Sequence, residues 1–133
     1  METNKKPIFA GKMIIAADDI EINRDILSKM LEETGICINF ARNGMDVIVM
    51  FEDNPQKYDL LLTDINMPGM DGYETTRRIR AMEGWGKEIP IIAMTANVTK
   101  NDIDKCLEAG MNEHIGKPLE INELIKKIQK YLA

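Results

Sequence analysis

The sequence predicts an α/β domain, a doubly wound five-stranded parallel sheet with helices on both faces, and three observations predict it. Strand-like and helix-like segments alternate along the whole chain, the pattern of repeated βα units. The runs Met13 to Ala17, Leu60 to Leu62 and Ile89 to Met94 are almost unbroken in apolar residues, as parallel strands covered on both faces require. Asp18, Asp19, Asp64, Thr95 and Lys117 follow strand-like runs, and in open α/β sheets ligands bind outside the carboxyl ends of the strands.

The first strand is read at Met13 to Ala17. Ile22, Ile26, Leu27, Met30 and Leu31 then recur at helical spacing, with Gly35 placed to stop the helix. Ile36 to Phe40 reads as the second strand, and Asp46 to Asp53 as a short helix ending before Pro55. The third strand is Asp59 to Thr63, and Tyr73 to Met82 reads as a helix charged on one side. After a loop at Gly84 to Gly86, Ile89 to Met94 is the fourth strand, with Pro90 near its start, where a missing N–H does least harm. Thr99 and Asp102 have capping-box spacing and open a helix that ends at Gly110. A brief strand, Glu113 to Ile115, precedes Gly116-Lys117-Pro118. The last helix carries Ile121, Leu124, Ile125, Ile128 and Leu132. Residues 1 to 11 read as an N-terminal tail or linker, and 12 to 133 as the domain.

Composition narrows the function classes. A chain of 133 residues, 44% apolar and 29% charged, buries a core without staples and is not disordered. A net charge of −5 argues against nucleic acid or an anionic membrane as partner, since both select basic patches. No apolar run approaches the ~18 residues of a membrane span, and the N-terminus lacks the apolar core of a signal peptide. Cys37 and Cys106 fit neither a zinc site nor a redox pair, and read as two reduced, buried thiols of a cytoplasmic domain. The ten methionines suit gap-filling in a core.

The strand-end residues carry the chemistry. In a doubly wound sheet the first strand lies between the second and third, so Asp18, Asp19 and Asp64 crowd into one shallow pocket. Three carboxylates so close raise one another's pKa unless a cation intervenes, and Mg²⁺ is typically held by one or two carboxylates plus waters and phosphate. Thr95 and Lys117 then face the same point with a hydroxyl and an ammonium. Together these make a phosphoryl-transfer site with Asp64 as nucleophile. Each residue also has a plainer reading: Asp18-Asp19 as a helix cap, Thr95 as packing, Lys117 as a solvated surface lysine. Their joint placement at strand ends, in order, favours chemistry.

With these residues in view the chain resembles a response-regulator receiver domain, the phosphoacceptor module of two-component signalling, over residues 11 to 133. The resemblance implies a flavodoxin-like (βα)5 fold with strand order 2-1-3-4-5. Asp64 matches the phosphorylated aspartate. Asp19, Asp64 and the backbone carbonyl of Asn66 match the Mg²⁺ (or Mn²⁺) ligands, with Asp18 acting through water. Met67-Pro68-Gly69-Met70-Asp71-Gly72 is similar to the loop after that aspartate, Thr95-Ala96 to the switch hydroxyl, and Lys117-Pro118 to a pair whose peptide bond is usually cis. His114, the chain's single histidine, departs from the Tyr or Phe expected three residues before the lysine. It reads either as a half-exposed edge-strand side chain or as a switch residue made pH-sensitive, since imidazole changes charge between pH 5 and 8.

The resemblance further implies a histidine kinase or histidine phosphotransfer protein as partner, no nucleic acid or membrane contact by this domain, and a monomer or weak dimer. No classical enzyme activity is expected beyond self-phosphorylation and autodephosphorylation at Asp64, with Asn66 and Asn97 bearing on the lifetime. Phe9 to Ile15 and Glu21-Ile-Asn-Arg-Asp-Ile26 resemble receivers of hybrid sensor histidine kinases more than a free-standing regulator. Three other readings compete. A haloacid-dehalogenase-type phosphatase needs a carboxylate two residues after the nucleophile, where this chain has Asn66. A nucleotide or flavin binder wants a Gly- or Ser/Thr-rich loop where Asp18-Asp19 stand. A degenerate interaction module would lack acids that are all present.

Overall fold

A computed structural model describes residues 7–96 and 98–132. Asn97 and the first six residues lie outside the described set. Five strands run β1 (Met13–Ala17), β2 (Cys37–Ala41), β3 (Leu60–Asp64), β4 (Ile91–Thr95) and β5 (Glu113–Gly116). The helices between and after them are α1 (Glu21–Leu31), α2 (Gly44–Asp53), α3 (Gly72–Arg80), α4 (Lys100–Ala109) and α5 (Ile121–Leu132). Every pairing is parallel, in the order β2-β1-β3-β4-β5.

Alternation along the strands builds two cores. Ile14, Ala16, Leu60, Leu62, Ile92 and Met94 face α1 and α5, where Leu27, Leu31, Leu124 and Ile128 cover them. Ile15, Ala17, Leu61, Ile91 and Ala93 face the other way, onto Val47, Ile48, Phe51 and Ile79 of α2 and α3 and Cys106 of α4. This two-sided burial is why the central strands carry no polar alternation.

Local signals set the helix ends. Asn43, Asp71 and Thr99 each accept from the backbone N–H three residues on, capping α2, α3 and α4. Gly35 takes the left-handed conformation (φ 78°) after a 3-10 turn, Glu32–Thr34, that continues α1. Pro90 has no N–H to give, so the β4 ladder begins at Ile91 rather than at Ile89. The loop expected at Gly84 to Gly86 is a 3-10 turn, Gly84–Lys87, whose Trp85 indole donates to the Tyr58 carbonyl at 2.8 Å.

Two expectations are corrected. Residues 7–11 are not a free tail: Phe9 is 2% exposed within the α1/α5 core, and its N–H donates to the Thr34 carbonyl at 2.7 Å. An aromatic ring that can reach apolar surface beside the first strand packs there. Of the two cysteines only Cys106 is buried, because Cys37 opens the edge strand β2 and is exposed. No helix among the described residues is long and apolar enough to cross a membrane.

Candidate functional site

The acids and the lysine meet at the C-terminal edge of the sheet. Asp64 is the last residue of β3 and Thr95 the last of β4, and the two ladders end together at the pairs Asp64–Met94 and Thr95–Gly116. Asp18 and Asp19 follow β1 directly. One carboxylate oxygen from each of Asp18, Asp19 and Asp64 lies within 4.8 Å of the others. Lys117, one residue beyond β5, reaches back to Asp64 Oδ2 at 3.1 Å and to Asp18 Oδ2 at 3.4 Å. Its own N–H donates to the Thr95 carbonyl at 2.8 Å, and the Lys117-Pro118 peptide is cis.

The loop after Asp64 closes tightly onto it. The Gly72 N–H donates to the Ile65 carbonyl at 2.7 Å. A Cβ at Gly72 would lie 2.5 Å from the Asp64 carbonyl oxygen, so only glycine permits this approach. Asp71, just before it, is committed to capping α3 through the Glu74 N–H at 2.9 Å. That leaves Asp64 as the loop's acid facing the cluster.

Asp64 is 5% exposed, and burial pushes its carboxyl above the usual carboxylate range. The Lys117 ammonium pulls the other way, Asp18 raises it further, and the Asn66 backbone N–H, which donates to the carboxylate, lowers it. Burial wins. Three carboxylates cluster and one ammonium, shared by Asp18 and Asp64, faces them. This leaves excess negative charge in an all-oxygen donor set, and such a set suits a hard divalent cation.

The site residues expected from the sequence come together with one exception. Asp18, Asp19, Asp64 and Lys117 form the cluster, Thr95 is buried at its edge, and Asn66 stands exposed in the loop above it. His114 does not join them. It lies within β5 opposite Ala93, two pairs short of the ladder's end, half-buried, with its backbone carbonyl accepting from Lys127 Nζ. Two contacts went unread in the sequence: Asn23 Nδ2 donates to Asp18 Oδ1, and Arg24 Nη1 to the Asp18 carbonyl. Their signal is the placement of both residues in the first turn of α1, legible only once the helix start is fixed at Glu21.

Comparison with known proteins agrees with this geometry. The family described as the response regulator receiver domain matches residues 14–129. The chain belongs to this family. The receiver is 41% identical over 126 residues to the hybrid signal transduction histidine kinase L of Dictyostelium discoideum, a match covering 90% of the chain and 7% of the relative. The chain spans 14% of the length of the probable histidine kinase 4 of Oryza sativa subsp. japonica and 7% of that of the Dictyostelium kinase. The receiver domain of a Pseudomonas aeruginosa sensor histidine kinase, solved with magnesium in its active-site cleft, superposes with a TM-score of 0.83 at 36% identity, covering 92% of this chain and 98% of that one. The Saccharomyces cerevisiae receiver of Ssk1, solved with the histidine phosphotransfer protein Ypd1, gives 0.85 at 25% identity, covering 94% and 91%. The chain is thus a receiver domain of two-component signalling, with the order-2-1-3-4-5 fold of those neighbours.

Proposed function

We propose that Asp64 accepts a phosphoryl group from a phosphohistidine of a partner histidine kinase or histidine phosphotransfer protein. One observation carries the reading: the buried Asp64 carboxylate touches Lys117, itself shared with Asp18, at the mouth of a Pro/Gly loop. A carboxylate oxygen of Asp64 attacks phosphorus in line, and the P–N bond breaks with its electron pair returning to the imidazole. Lys117 and the Thr95 hydroxyl then anchor the phosphoryl oxygens, Lys as a point charge and Thr as a hydrogen-bond donor.

Asp19, Asp64 and the Asn66 carbonyl are assigned to hold Mg²⁺ (or Mn²⁺), with Asp18 acting through water. When bound, the cation neutralises charge developing on the phosphoryl oxygens. Thr95 passes the new charge to α4, β5 and α5, the surface that changes on phosphorylation, with His114 modulating it from β5. A nearly complete population swing requires ~5.5 kcal/mol of differential stabilisation. The likeness to hybrid kinases supports an origin within a longer hybrid kinase chain in the cytoplasm, over a free-standing regulator. The domain itself acts as a monomer or weak dimer.

Incubation with Mg²⁺ and acetyl phosphate, read by intact mass, tests the proposal. One phosphoryl group is gained by the wild type and none by Asp64→Asn. A wild type that gains none at any Mg²⁺ concentration overturns it.

A further inference from the structure

The strand-end acids are held in place by a neighbour that the chemistry above does not use. Asp18 is 1% exposed, and its polar groups are divided between two directions. On one side Oδ1 accepts from the Ile20 N–H at 3.0 Å and from Asn23 Nδ2 at 3.4 Å. On the other, Oδ2 turns into the cluster, where Lys117 lies at 3.4 Å. The backbone is fixed as firmly. The Asp18 N–H donates to the Ala41 carbonyl at 3.1 Å, and the Asp18 carbonyl accepts from Arg24 Nη1 at 2.8 Å.

That carbonyl belongs to the peptide joining Asp18 to Asp19, so the guanidinium orients the plane from which the Asp19 side chain departs. The usual device for such a turn is missing: Ile20, at the N-cap of α1, has no side chain able to cap. The first turn of α1 takes over this task, with Asn23 presented to the carboxylate and Arg24 to the peptide. Asn23 also lines a cleft of about 410 Å³ together with Asp18 and Lys117.

We propose that Arg24 and Asn23 are positioning residues for the cation. Asn23 joins the Ile20 N–H in occupying Oδ1, so that Asp18 offers Oδ2 to the cluster, and Arg24 locks the Asp18–Asp19 peptide so that both acids face the same point before any ion arrives. The inference rests on the reading of the acid cluster as a Mg²⁺ site. Neither residue touches the reacting atoms. Their effect is on how much ordering the site undergoes when it binds, and outer-shell partners of metal ligands act in this way.

Calorimetric titration of the full chain with Mg²⁺ alone tests it. Arg24→Ala weakens Mg²⁺ binding about tenfold, and Asn23→Ala about threefold, the weight of one net hydrogen bond. Arg24→Lys, which keeps one donor and the charge, recovers part of the loss. Arg77→Ala, which removes an exposed pair with Glu74 on α3, keeps wild-type affinity. In the acetyl phosphate reaction the Mg²⁺ concentration for half-maximal uptake rises in parallel, and added Mg²⁺ makes up the lost rate.

Equal Mg²⁺ affinity in wild type, Arg24→Ala and Asn23→Ala overturns the inference, as does a wild type that takes up no Mg²⁺. If Arg24→Ala melts below the assay temperature, Asn23→Ala and Arg24→Lys decide: weaker binding at unchanged melting temperature supports positioning, and unchanged affinity refutes it. A wild type that binds Mg²⁺ but gains no phosphoryl group refutes the role of Asp64. The calorimetry then still decides the role of Arg24 and Asn23.

Discussion

The two edges of the sheet handle buried polar groups in opposite ways. At the C-terminal edge three carboxylates cluster, two of them against the Lys117 ammonium, and burial leaves Asp64 harder to ionise than a free carboxyl. At the N-terminal edge Arg80 puts each of its three guanidinium nitrogens to a protein acceptor. Nε donates to the Gly110 carbonyl at 2.9 Å, Nη1 to the Gly86 carbonyl at 2.9 Å, and Nη2 to Asn112 Oδ1 at 2.8 Å. Asn112 Oδ1 also accepts from the first N–H of β4, at Ile91. A satisfied network rigidifies, while excess buried charge is costly until a ligand supplies its opposite. One pole therefore ties α3, α4 and β5 together, and the other keeps electrostatic free energy in reserve for a cation and a phosphoryl group.

The largest effect is expected at the satisfied pole. Arg80→Ala removes three hydrogen bonds, two of them to the Gly86 and Gly110 carbonyls, lowering stability by about 2–4 kcal/mol in urea unfolding. Phosphoryl uptake by the remaining folded protein persists. A loss below 0.5 kcal/mol, on the order of a neutral surface change, would break the contrast between the poles.

Lys117→Ala comes next. It leaves the acids without their ammonium and lowers stability by about 1–3 kcal/mol in EDTA, between the values for exposed and fully buried pairs. Mg²⁺ restores much of this loss, because binding to the folded state alone stabilises it. Thermal melts with and without Mg²⁺ read the difference, and a loss that Mg²⁺ leaves untouched argues that the lysine is packing rather than counter-charge. A smaller effect, about 1 kcal/mol, is expected for Thr99→Ala, which removes the α4 cap.

Asp64→Asn has the opposite sign. Its folded-state pKa is raised, so between the ordinary carboxylate range and that higher value the folded protein binds more protons than the unfolded chain. Stability contributed by this group is therefore lost as pH rises through that window. The neutral amide removes the penalty, and without divalent cations the variant melts about 2–4 °C higher at pH 7. The gain shrinks toward pH 4. A variant that melts lower at pH 7 would show that the Lys117 contact outweighs burial.

Much of this was legible in the sequence, and the rest was hidden for physical reasons. The alternation of apolar runs with helical periodicity located every strand and helix, because two-sided burial leaves an unbroken apolar run that local reading detects. β1 is reproduced residue for residue, α4 lies between its Thr99 cap and Gly110, and the apolar positions read for the last helix all fall within α5. β3 and β4 were read one residue short at the carboxyl end, since Asp64 and Thr95 are polar and only their parallel neighbours show that the ladder continues through them. The Arg80 network was invisible: its partners lie 6, 30 and 32 residues away, and no local pattern links them. Phe9 misled for a related reason, lying in an apolar run of three residues, Ile8 to Ala10, too short to show a period, whose partners belong to α1 and α5.

That buried aromatic fixes the smallest unit that can be transplanted. A chain shortened to begin at Lys12 keeps every strand, helix and strand-end acid, yet it loses a ring the core closes around and the N–H bond to Thr34. Removing a buried Phe typically costs about 3–5 kcal/mol, a large part of the margin of an ordinary domain. Grafts between signalling proteins that join at Pro7 should keep their melting temperature, while those that join at the first strand should not. The practical edge of the module lies ahead of its first strand.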